Sequence, residues 1–160
     1  MIKLTACIAI ACGLSIGLVF APGQISGAEE IQTYIGSLAC KTCHPNEYFR
    51  FNRFSKKPHS YTQIKLMKKG LTDDEYKGCL ECHVTGYGRP GGFVSESQTP
   101  HLMELGCEAC HGPGGVHASS QAAKDIKGRG RLSLADCEKC HREDRIEAFN
   151  FRPLIYGGAH

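Results

Sequence analysis

Between Gly106 and His117 the chain reads GCEACHGPGGVH, with Cys107 and Cys110 one helical turn apart and His111 directly after them. Two thiols and an imidazole at this spacing attach a c-type haem. The sulfurs add to the two vinyl groups of one porphyrin, and the adjacent imidazole reaches under the ring to the iron. The pentapeptide recurs as Cys40-Lys41-Thr42-Cys43-His44, Cys79-Leu80-Glu81-Cys82-His83 and Cys137-Glu138-Lys139-Cys140-His141. Cysteine and histidine are both rare, and each copy fixes three positions, so the repetition reads as four covalently attached haem c groups. Cys40, Cys43, Cys79, Cys82, Cys107, Cys110, Cys137 and Cys140 then form the thioethers, and His44, His83, His111 and His141 are the proximal iron ligands. The rival is a pair of zinc ribbons, each holding its metal with four thiolates, but an all-thiolate site does not need a histidine after every CxxC. A disulfide framework is weaker still, because every cysteine after Cys12 already belongs to a pentapeptide.

Four histidines remain: His59, His101, His117 and His160. A lone histidine is ordinarily a surface or core residue. Here the count allows one imidazole on each face of every iron, so His59, His101 and His117 are read as distal ligands and His160 as a further candidate. Met67 and Met103 are the alternatives, and a methionine ligand would raise the potential.

The elements that must position these residues are short. Pro45 to Phe54 reads as a helix with Pro45 in its first turn, and Tyr48, Phe49, Phe51 and Phe54 give it an aromatic side to lie on a haem. Pro58 interrupts before His59. Ser60 to Lys69 reads as a second helix with Ile64, Leu66 and Met67 inward and Gly70 as its stop. Thr72 and Glu75 form a capping box leading to the second pentapeptide. Val84 to Gln98, with Gly86, Gly88, Pro90, Gly91 and Gly92, reads as a long loop. Thr99 and Pro100 start a short helix over His101 to Leu105. Gly112, Pro113, Gly114 and Gly115 favour a turn and let backbone approach a bulky group. A polar stretch from Ala118 to Arg131 leads to a cap at Ser133, and the tail from Ile146 to Tyr156 is apolar and aromatic enough to cover a haem edge.

Residues 1–28 read as a signal peptide: Lys3, a mostly apolar run from Leu4 to Phe20, and small residues Ser26-Gly27-Ala28 before cleavage. The run approaches the roughly 20 apolar residues of a membrane span, so an uncleaved anchor is the alternative. Cys7 and Cys12 within it precede no histidine and read as discarded apolar residues. A lipid anchor on Cys12 is disfavoured by Ala9, where a leucine is usual. Export to the periplasm or beyond suits the chemistry, because bacteria attach c-type haem outside the cytoplasm.

Residues 29–160 are enough for one domain and too few for an ample protein-only core. With about 33 residues per haem, the macrocycles must form much of the interior. The expected fold is mainly α with much irregular loop, a single small domain whose core is four haems. No tryptophan and 19 glycines fit a chain that makes room for cofactor. The polypeptide after residue 28 carries a formal +2, and up to eight haem propionates bring the total near −6. Arg50, Arg53, Lys56, Lys57, Lys65, Lys68 and Lys69 cluster in sequence: either a solvated face that offsets propionates or a dock for an acidic redox partner. Nucleic acid does not fit an exported haem protein.

Taken together, CKTCH with an aromatic helix and KPHS, then GCLECHVTGYGRPGGF, TPHLMELGCEACHGPGGVH and CEKCH, the chain resembles the tetrahaem cytochrome c-554 family. Its members accept electrons from hydroxylamine oxidation. The likeness covers most of the chain after the leader, and the third of these segments is its most specific part. It implies that His101 completes the haem held by His44, His59 the haem held by His111, and His117 the haem held by His141. The haem on His83 is then five-coordinate. The chain departs from the pattern in being shorter and in ending at His160, which follows Gly157-Gly158-Ala159. His160 could close the iron above His83, cross to a neighbouring molecule, or be a frayed terminus.

The functional expectation is an exported electron carrier between redox protein partners, a membrane-associated quinol or respiratory complex among them, with no catalytic residue in the polypeptide. Bis-histidine ligation should keep its potentials below those of His/Met cytochromes. Two alternatives belong to other classes: a reductase of a small ligand such as nitric oxide at a vacant face of the His83 haem, and a self-associating subunit of a conducting filament joined through His160.

Overall fold

The computed structural model describes residues 32–128 and 132–142. The leader, the 146–156 tail and His160 lie outside the described residues. Among the described residues there are seven short α-helices, joined by 3-10 turns and loops, and no strand. None of these helices is long and apolar enough to cross a membrane.

Helix α1 spans Ser37–Cys40 and α2 spans Pro45–Phe54, with Pro45 in the first turn as expected. Of the four aromatic residues of α2 only Phe51 is buried against protein, while Phe49 and Phe54 are 61% and 64% exposed. The 3-10 turn Lys57–His59 runs into α3, Ser60–Met67, which ends in a second 3-10 turn at Lys68–Gly70. Helix α4, Asp73–His83, opens on the Thr72/Glu75 capping box and closes on the second pentapeptide. Helix α5 is Glu108–His111, α6 is Gly115–Ser120 and α7 is Leu134–Glu138, the last capped by a Ser133/Asp136 box.

The protein-only core lies between α3 and α4. Tyr61, Ile64, Tyr76, Leu80, Val84, Phe93 and Leu102 pack together, with Tyr34, Leu71, Cys79, Tyr87 and Met103 around them. Tyr61 and Ile64 share a face because they are three residues apart. Leu66 and Met67 were expected inward with Ile64, but they turn outward, 76% and 61% exposed. Leu66 follows Ile64 by two residues, roughly 200° around the helix, so both cannot meet the same core.

The N-terminus of α3 lacks a local cap, and Glu104 supplies one from 43 residues on. Its carboxylate accepts from the backbone N–H of Tyr61 at 2.7 Å and from the Thr62 hydroxyl at 2.6 Å. The Tyr61 N–H, with that of Thr62, which donates to the same carboxylate at 3.3 Å, is among the orphan donors every helix start exposes. The segment expected as a helix over His101–Leu105 is only a 3-10 turn, Pro100–Leu102. Thr99 does not cap it: the hydroxyl instead accepts from Val94 N–H at 2.8 Å and donates to Ser95 O.

The 84–98 loop has neither helix nor strand but is pinned. Thr85 is 2% exposed. Its backbone N–H donates to Leu102 O and its carbonyl accepts from Phe93 N–H, both at 3.0 Å. Gly92 crosses so close to Gly86 that a Cβ there would lie on the Gly86 backbone. Only glycine fits that crossing.

Candidate functional site

Each pentapeptide is a single turn of helix. The backbone N–H groups of His44, His111 and His141 donate to the carbonyls of Cys40, Cys107 and Cys137 at 2.9, 3.0 and 2.9 Å. The remaining pentapeptide, Cys79 to His83, is the last stretch of α4. A helical turn places residues i, i+3 and i+4 on one face, so each site offers two sulfurs and one ring from the same side. That is what a thioether-bound, histidine-ligated haem needs, and the residues fit it. A zinc ribbon needs four converging ligands. Among the described residues no group of three or more His, Cys, Asp or Glu side chains converges in that way.

Three imidazoles have a fixed tautomer. Nδ1 of His83 bonds Ser60 O at 3.0 Å, Nδ1 of His111 bonds Lys127 O at 2.6 Å and Nδ1 of His117 bonds Ala122 O at 3.0 Å. A carbonyl only accepts, so Nδ1 carries the hydrogen and Nε2 keeps its lone pair. Such a bond also orients a metal-ligating ring. Burial, with the nearby Lys57 ammonium, holds His141 below the usual histidine value, which favours the neutral form that ligation requires. His44, His59 and His101 are exposed, and His83, His111, His117 and His141 are half-buried.

The four sites abut one another. Cys40 and Cys107 are hydrogen-bonded through their sulfurs, which pulls Cys107 down to about 6 and pushes Cys40 up. Cys107 N–H also donates to the hydroxyl of Ser37 in α1 at 3.0 Å. Burial raises Cys110, and the neighbouring Cys137 thiol raises it further. Burial raises Cys137 as well. Cys82 Sγ lies 3.9 Å from Lys139 O, inside the fourth pentapeptide. Lys127 joins the third and fourth pentapeptides, its backbone bonding His111 and its ammonium pairing with Asp136, so the pentapeptides are linked in the order first, third, fourth, second.

Of the remaining histidines, His59, His101 and His117 fall within the described residues. A Cβ on Gly36, whose φ is +80°, would lie 2.9 Å from His101 O, so His101 crosses the start of α1 beside the first site. The charge of Lys57, two residues before His59, works to lower Cys110, Cys137 and His141. The His117 ring stacks on that of His44, with centroids 6.2 Å apart and planes at 23°.

Several residues that hold the sites together were not apparent from sequence. Ser60 Oγ donates to His83 O at 2.8 Å and accepts from Leu105 N–H at 3.1 Å. Thr85 Oγ1 donates to Glu104 O at 2.7 Å and accepts from Gly106 N–H at 2.8 Å, just before the third pentapeptide. Glu108, between Cys107 and Cys110, is 2% exposed. Its Oε1 accepts from the N–H groups of Ile35 at 3.0 Å and Gly114 at 2.7 Å, and its Oε2 from Gly36 at 2.7 Å and Ile35 at 3.2 Å. A capping box can be read from spacing alone, but these residues act on partners far along the chain and left no local pattern.

Residues 39–112 match the family model described as cytochrome c554 and c-prime. The chain is 33% identical over 173 aligned positions to cytochrome c-554 of Nitrosomonas europaea, covering 95% of this chain and 73% of that protein. No solved structure matches the chain.

Proposed function

Because the chain belongs to the cytochrome c-554 family, we propose that it carries electrons outside the cytoplasm on four covalently attached haems, one per pentapeptide. At the coarser level it is a c-type cytochrome, an electron carrier with covalent haem and redox protein partners. When bound, each haem supplies a reversible one-electron ferric/ferrous couple.

The polypeptide's part is to fix spacing, ligand orientation and burial. Cysteine pairs on single helical turns would anchor the groups. His44, His83, His111 and His141 would ligate from one face, and His59, His101 and His117 from the other. The bonds from Nδ1 of His83, His111 and His117 to backbone carbonyls support that reading by keeping the hydrogen on Nδ1 and the ring oriented.

The observation that carries the proposal is contiguity. The four turns are linked in a row: first to third through Cys40 and Cys107, third to fourth through Lys127, which bonds His111 and pairs with Asp136, and fourth to second through Lys139 and Cys82. A carrier needs such a row so that an electron entering at one end can leave at the other. Residues 1–28 would direct export and be removed after Ala28.

The test is a haem count with a spin assignment on protein made in a host that matures c-type cytochromes. The expected result is four haems per chain by pyridine haemochromogen, surviving denaturation, on a mature chain beginning at Glu29. Fewer than four, or colourless protein, overturns the reading. An EPR spectrum of the ferric protein then separates carrier from reductase, because a high-spin signal equal to one haem in four marks an iron open to a small ligand.

A further inference from the structure

Glu108 is the one buried acidic residue among the described residues, and neither haem attachment nor iron ligation uses it. Its carboxylate sits between the first and third sites. From α5 it reaches Ile35 and Gly36, immediately before α1, and Gly114, immediately after the third pentapeptide. Every one of those partners is an N–H donor. A neutral carboxylic acid would have to point its O–H at a donor, whereas a carboxylate is an acceptor only.

The charge lies beside both sites. Glu108 stands within the Cys107–Cys110 turn, and it bonds the N–H of Gly36, whose carbonyl lies 3.9 Å from Cys40 Sγ. A charge out of contact with water acts through a weakly polarisable medium and is little damped by salt.

Resting on the tetrahaem reading above, we infer that Glu108 is a positioning and potential-setting residue: its fixed negative charge favours ferric over ferrous iron at the first and third sites and makes them the low-potential pair. Three of its four bonds clamp the 35–36 segment onto the third site and the fourth holds Gly114, so one side chain sets both the spacing and the potential of the pair. Gly114 lets the clamp close, since a Cβ there would stand 3.2 Å from Glu108 Oε1.

The test is a spectroelectrochemical titration of the holoprotein, wild type against Glu108→Gln, each fitted with four one-electron steps. Glutamine keeps the shape and one acceptor while removing the charge. Two of the four steps are expected to rise by at least tenfold in the ferrous-to-ferric ratio at a given applied potential, about 59 mV, with the other two unmoved. Four unchanged steps, or a uniform shift of all four, overturn the inference and leave Glu108 a structural clamp.

Should the variant not assemble, wild type decides. Raising ionic strength from about 0.01 M to about 1 M shrinks the screening length from about 30 Å to about 3 Å. The gap between the lower and upper pairs is expected to persist, and its collapse places the responsible charge at the surface. Protein without haem fails the tetrahaem reading instead, so the two failures are distinguishable.

Discussion

The imidazole bonds to backbone carbonyls give the residue scale its sharpest expectations. His117 donates from Nδ1 to Ala122 O, so Nε2 is its only free metal-binding atom. His117→Ala removes that atom without touching a thioether. Haem content should stay at four per chain while one low-spin ferric signal becomes high-spin by EPR. An unchanged spectrum would remove His117 from the ligand set. Replacing Cys107 and Cys110 together by alanine should instead cost one haem in four by pyridine haemochromogen. The four CxxCH turns were legible because cysteine and histidine stand at fixed spacing within five residues, and each does form a helical turn. Glu108 and Ser60 were not, because each owes its role to a partner 73 or 23 residues away. In the sequence Glu108 is merely one of two variable positions between two cysteines.

Helices of four to 11 residues draw little on propensity, so their caps and buried faces decide whether they hold. Thr72→Ala removes the hydroxyl that accepts from Glu75 N–H at the start of α4. The expected loss is about 1 kcal/mol, measured as a lower thermal midpoint at full haem content. Ile64→Ala in the α3–α4 core should cost about 2–5 kcal/mol, whereas Leu66→Ser should stay within about 0.5 kcal/mol. Equal effects in a denaturant titration would contradict the inward and outward assignments. At α7, Asp136 is held well below the usual carboxylate range, first by Lys127 and then by Ser133. A depressed folded-state value means that this stabilisation is present above the unfolded value, about 3.9, and is lost as pH falls through it. Protection factors of the α7 amides, with the intrinsic pH dependence of exchange divided out, should therefore fall on acidification below about pH 4, and Asp136→Asn should abolish that fall. The Pro45 start, the Thr72 box and the Ser133 cap could all be read beforehand from local rules. The inward face of α3 could not: three apolar residues on a short helix fit two registers, and only packing against α4 chose Tyr61 and Ile64.

For the whole molecule, charge separates cofactor-laden protein from bare chain. The sequence alone has an isoelectric point near 8.3, and haem propionates on four sites would make the loaded protein acidic. Native isoelectric focusing should place the coloured band well below that of the apoprotein, and coincident bands would mean that the propionates are absent. Among the described residues the protein core is small and lies between α3 and α4. The order of the sites in space was beyond sequence reasoning, since it arises from tertiary contacts between turns far apart in the chain. One of those contacts bears on biogenesis. The strap at residues 33–37 is fastened to residues 107–115 through Gly115 N–H to Thr33 O and Cys107 N–H to Ser37 Oγ as well as through Glu108. So wide a separation makes closure an unhurried, non-local event. The first turn would emerge and receive its tetrapyrrole on open chain, and latching of the two ends would come last during maturation.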